Sequence, residues 1–129
     1  MASTNRRALT MAGSLATAGV AHFAFPKPFD DIVPPQLPIT PRQATQLSGI
    51  AELTIAGLLA VPRTRRLGGW AAAALYVAVY PANVYMAQQW SDKPTAQKLV
   101  AYGRLPLQIP LIVSAVKIAR APRKAPASE

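Results

Sequence analysis

The sequence predicts an all-α fold: an integral membrane four-helix bundle, N-in and C-in, with a proline-rich external loop between helices 1 and 2. Three observations predict it. Four apolar stretches of spanning length recur along 129 residues. Only 15% of residues are charged, against about 25% in an ordinary soluble domain. The basic residues fall in small groups between the apolar stretches, a membrane pattern.

The stretches are Ala8–Phe25, Ala44–Val61, Leu67–Gln89 and Pro94–Ala119. A helix needs about 20 apolar residues to cross a bilayer, with a range of about 17–25. The first two are short but sufficient. The third contains "GWAAAALYVAVY" and is apolar all round. The fourth carries Pro106 and Pro110 in its interior, where proline removes a helical hydrogen bond. A soluble α-bundle would need polar stripes at helical spacing, which these stretches lack. Arg6–Arg7 before an apolar run imitates an export signal. Ala8 and Leu9 fit the twin-arginine pattern poorly, so an uncleaved span is expected.

Charge sets the expected orientation. Arg6, Arg7, Arg63, Arg65, Arg66, Lys117, Arg120, Arg123 and Lys124 fall on one side, and Lys27, Arg42, Lys93 and Lys98 on the other. The positive-inside rule then places both termini in the cytoplasm. Residues 1–7 form the cytoplasmic N-terminus, 8–120 the transmembrane domain, 26–43 its external loop, and 121–129 a tail read as disordered. The expected location is a bacterial plasma membrane, crossed several times.

Composition also narrows the chemistry. The net charge of +9 lacks the basic face with interleaved aromatics that nucleic-acid binding requires. No cysteine is present, which excludes thiol, disulfide and thiolate-metal mechanisms. One histidine does not make a multi-histidine zinc or haem site. Asp30 and Asp31 are too few to hold a cation alone; they are expected to cap a short helix or to meet Arg42. No metal site, Ser/His/Asp set or phosphate loop is found, so no catalytic residue is assigned.

Five polar residues fall inside the spans: His22, Glu52, Asn83, Arg104 and Gln108. At 1.5 Å rise per residue, Glu52 lies about 12 Å and Asn83 about 9 Å below the outer ends of their spans. Arg104 and Gln108 lie about 15 and 20 Å below Pro94. An ionised carboxylate in a span costs about 2.5–3.5 kcal/mol on insertion scales. A Glu52–Arg104 pair is therefore expected, with Gln108 one turn below Arg104. The plainer alternatives are a structural Glu52 bonded to Ser48, a snorkelling Arg104, an interfacial His22, and an Asn83 that satisfies backbone freed by Pro81. Tyr76, Tyr80, Tyr85, Trp90 and Tyr102 read as an interfacial belt or as pocket lining. The stiff segment with Pro26, Phe29, Pro34, Pro35 and Pro38 is expected to form a lid over this polar cluster, in extended turns.

"AHFAFPKPFDDIVPPQLP", "LSGIAELTIAGLLAVPRTRRLGGW", "VYPANVYMA" and "RLPLQ", in this order, resemble the DoxX-like family of small four-helix membrane proteins. The resemblance runs from about Ala21 to about Pro110. It implies the four-helix fold and leaves activity open: the family name comes from a quinol-oxidase-associated subunit, and other members are linked to thiol redox complexes. The missing cysteines count against a thiol role. Three functions follow as expectations: a non-catalytic accessory subunit of a larger membrane or cell-envelope complex, a quinone-linked redox subunit, or a small lipid or solute carrier. The expected partners are the bilayer and a larger membrane complex, and quinone is the one cofactor considered.

Overall fold

The computed structural model describes residues 2–122. It is all-α, with no strand among them. The helices are α1 (Ala2–Ala24), α2 (Pro26–Asp30), α3 (Pro41–Ala60), α4 (Arg65–Ala78), α5 (Tyr80–Gln89) and α6 (Thr95–Arg120), with a 3₁₀ turn at Pro62–Thr64. Residues 123–129, which carry most of the expected disordered tail, lie outside the described residues.

Each boundary has a local cause. The residues expected as a separate N-terminal segment, up to Arg7, form the first turns of α1. Pro26 ends α1 and opens α2, because proline tolerates the first helical turn but not the interior. The segment after Pro26 was expected in extended turns; it starts instead as helix α2 and continues as turns to Ser48's helix. Thr40 starts that helix, α3, with a reciprocal capping box: its hydroxyl accepts from Gln43 N, and Gln43 Oε1 accepts from Thr40 N. The third apolar stretch is not one helix. It breaks at Val79, two residues before Pro81, which has no N–H to give the carbonyl four residues back. The fourth stretch passes through Pro106 and Pro110 as a single helix of 26 residues.

Packing runs α1 along α3, α3 along α4 and α4 along α6, with a lighter contact between α1 and α6. Glycine permits the closest approach. A Cβ on Gly69 would stand 2.6 Å from Ala119 N and 2.8 Å from Ala115 O, so α4 and α6 touch backbone to backbone. The main core surrounds Leu59 and Ile118, the largest fully buried side chains. A smaller cluster joins Ile32, Met86, Ala87 and Ala101.

One end of the molecule is tied by arginines. Arg65 donates to Leu59 O, Ala60 O and Asn5 Oδ1, and Arg66 donates to Ala119 O. These bonds bring the start of α1, the turn before α4 and the end of α6 together. At the other end, Asp30 accepts from Arg42 Nε at 2.9 Å and from Thr45 Oγ1 at 2.5 Å, which ties α2 to α3. The Thr45 hydroxyl foremost, and then Arg42, hold the Asp30 carboxyl below its ordinary value, against partial desolvation. The expected meeting of Asp30 with Arg42 is thus present; Asp31 pairs with Lys27 on the surface at 3.6 Å.

Candidate functional site

A cavity of about 520 Å³ lies between the helices at the end that carries α2. That volume falls within the range of about 300–1,000 Å³ usual for small-molecule sites. Leu15 and Tyr76 of the main core border it on one side and Ile32 of the smaller cluster on the other. All five polar residues singled out in the sequence line it. Of the expected lid, Phe29 and Pro34 reach the cavity, joined by Val33, Leu37 and Ile39. Pro26, Pro35 and Pro38 do not reach it; they shape the segment, and its apolar side chains cover the space.

Glu52 has a different partner from the one expected. It stands 3.2 Å from His22 Nε2 and accepts from Ser48 Oγ at 3.2 Å, all through Oε1. No Glu52–Arg104 ion pair forms within 4.0 Å. The reason is packing. A Cβ on Gly49 would come within 3.0 Å of His22 Cβ and 2.7 Å of the Phe23 ring. The glycine therefore lets α1 press on α3, and His22 reaches Glu52 before Arg104 can. The His22 ring also lies on the Phe29 ring, with centroids 3.7 Å apart and planes 20° apart. Its Nδ1 is 2.6 Å from Ala18 O. A carbonyl only accepts, so Nδ1 carries a proton. Nε2 faces Glu52 Oε1 at 3.2 Å, a separation at which one proton held between them gives a pair of zero net charge.

Gln108 and Asn83 form a second unit. Gln108 Nε2 donates to Tyr76 O at 2.6 Å, and Asn83 Nδ2 donates to Gln108 Oε1 at 3.3 Å. Tyr76 is among the last four residues of α4, whose carbonyls lack helical donors. The backbone near the Pro81 break is therefore satisfied from α6 by Gln108, and Asn83 orients Gln108. Gln108 does not pair with Arg104.

Arg104 is half-buried, and its one hydrogen-bond partner among the described residues is Met86 Sδ at 3.2 Å. Thioether sulfur is a weak acceptor. Tyr76 is 7% exposed and its hydroxyl is buried without a partner. The sequence left Tyr76 open between an interfacial belt and pocket lining, and it lines the cavity. A usable signal was present: Tyr76 and Asn83 are seven apart, which puts them on one helical face. Among the other aromatics, Tyr80 and Tyr102 are exposed at 37% and 44%. Among the described residues no group of three His, Cys, Asp or Glu side chains is placed to hold a metal.

The fold and the site together define an all-α protein with a cavity between its helices, lined by apolar side chains and five polar ones. Residues 11–119 match the family model of a domain of unknown function, DUF8561, and the chain belongs to that family. No curated protein and no solved structure matches it.

Proposed function

We propose that this is a multi-pass membrane protein, a four-helix bundle of DoxX-like type, that binds a small amphiphilic molecule in its cavity. The observation that carries the reading is the cavity. It is mostly apolar in its walls, roofed by Phe29, Val33 and Pro34, and provided with polar groups whose bonding is incomplete. Ligand sites combine these features: apolar walls with a few placed polar atoms.

Several observations support the membrane setting. Two stretches are long and apolar enough to cross a bilayer, Pro62–Gln89 and Thr95–Arg120, and only 33% and 17% of their most apolar windows are buried. A core helix of a soluble protein would be mostly covered. α1 and α3 have the length but are less apolar; they carry the polar cluster. Leu9, Val20, Ile50, Trp70, Val77 and Ile109 are exposed, an apolar girdle that lipid would cover. The arginine-tied end is the cytoplasmic one under the positive-inside rule, and the cavity then opens in the outer half.

The test is identification of the retained small molecule by mass spectrometry after purification in a mild detergent. Wild type should carry a near-stoichiometric amphiphile, and Ala18→Phe, which fills the cavity, should not. Equal retention by both, or by neither, removes the reading. The exposed α6 face of Leu99, Val100, Tyr102, Leu107 and Ile109 favours a second reading: a non-catalytic accessory subunit docking on a larger membrane complex. A stoichiometric protein partner, retained equally by Ala18→Phe, would select it.

A further inference from the structure

Three polar features of the cavity do not balance one another. The Arg104 guanidinium has five N–H donors, yet it meets only a thioether and no carboxylate within 4.0 Å among the described residues. A half-buried guanidinium without a counter-charge favours an anion beside it. The Tyr76 hydroxyl is buried, borders the same cavity and has no partner. The His22–Glu52 pair, with Nδ1 turned to Ala18 O, is neutral while it keeps its shared proton and carries one negative charge once it loses it. The other titratable groups facing that pair are Arg104 from α6 and Tyr76 from α4. From α2 the pair meets the Phe29 ring, and α5 lines the cavity with the amide of Asn83.

We propose that the cavity binds an amphiphile with a single negative charge, a long-chain carboxylate, whose headgroup meets Arg104 and Tyr76 while the His22–Glu52 pair holds its proton. This rests on the amphiphile-binding reading above and names the ligand class. With the shared proton in place, the cavity's groups sum to one positive charge, and one anionic headgroup makes the site neutral. The planar guanidinium fork matches a carboxylate with two parallel bonds, and a phenol O–H adds a third donor. The chain lies against Leu15, Leu75 and Leu111. When the pair loses its proton, Glu52 supplies the negative charge itself and competes with the ligand. The site with its shared proton in place is therefore the one that favours an anionic headgroup.

The experiment uses the full chain in nanodiscs and compares hexadecanoate, hexadecan-1-ol and hexadecyl phosphate by native mass spectrometry and calorimetry. Hexadecanoate is expected to bind one-to-one, about tenfold or more tighter than the alcohol, the scale of one charge-assisted hydrogen bond. Arg104→Gln should erase that preference, and Tyr76→Phe should reduce it. A circular-dichroism spectrum like that of wild type shows that each variant is folded. Equal affinity for alcohol and carboxylate, or an unchanged preference in Arg104→Gln, overturns the carboxylate assignment and leaves amphiphile binding standing. Tighter binding of the phosphate overturns the single-charge assignment. Binding of none of the three, with no molecule retained on purification, takes down both.

Discussion

Replacing Gln108 with leucine tests whether the helix break is held from across the bundle. The substitution keeps the volume roughly constant and removes two bonds. Tyr76 O loses its donor at 2.6 Å, and Asn83 Nδ2 loses its acceptor at 3.3 Å. A buried polar group left unpaired costs about 1–3 kcal/mol. The short bond belongs near the upper end and the long one near the lower, which gives a loss of about 2–4 kcal/mol. Interhelical hydrogen bonds in membrane bundles average only about 0.6 kcal/mol, because the unfolded reference finds other partners. The larger figure is expected here because the acceptor is one of the terminal carbonyls of α4. Unfolding in mixed micelles, followed by circular dichroism, measures the difference. Asn83→Leu alone should cost less than Gln108→Leu, and the double variant should cost less than the sum, with a coupling of about 0.5–2 kcal/mol. A Gln108→Leu protein within about 0.5 kcal/mol of wild type, the range of an ordinary surface substitution, would refute the reasoning.

Further outcomes follow from other parts of the structure. Gly69→Ala should destabilise by about 1–3 kcal/mol, since its methyl meets Ala119 and Ala115 backbone. Gly13→Ala meets nothing within 4 Å and should gain up to about 1 kcal/mol of helix propensity; the same unfolding assay compares the two. Asp30 has its carboxyl held down in the folded chain, so its contribution is present above the ordinary carboxylate value and is lost as pH falls through the lower folded value. Hydrogen exchange of α2 should accelerate in that acid window in wild type and at neutral pH in Asp30→Asn, and an unchanged rate in the variant would deny Asp30 that role. The chain has no cysteine, so single cysteines at Gln36 and Arg63 report sidedness without background. An impermeant maleimide applied to intact cells should label the first and spare the second; the reverse pattern would invert the orientation.

Much of the helical arrangement was legible in the chain. Proline at 26 and 81 marks the end of α1 and the neighbourhood of the α4–α5 break, because the missing N–H acts locally whatever the packing. The polar residues at 22, 52, 83, 104 and 108 read as lying at comparable heights, since rise per residue is fixed along a helix, and the structure sets all five around one cavity. Pro106 and Pro110 fall inside the stretch read as one span, and the helix there is continuous. Neighbouring helices can support backbone that has lost a bond.

The partners within the cavity were not legible. Depth and helical face leave each helix free to rotate about its axis, and that rotation decides which polar atoms meet. Glu52 faces α1 and α6 alike by depth. The close approach at Gly49 brings His22 against it and leaves Arg104 beside Met86. Gln108 bonds a carbonyl near a break in a different helix, and of the belt and pocket-lining readings open for Tyr76 its place in the cavity wall agrees with the second. The sequence by itself therefore determined that the chain is helical and where Pro26 ends its first helix, through local backbone chemistry. Only the tertiary structure decided who pairs with whom and which donors stay free, because those depend on the rotation and contact distance of packed helices.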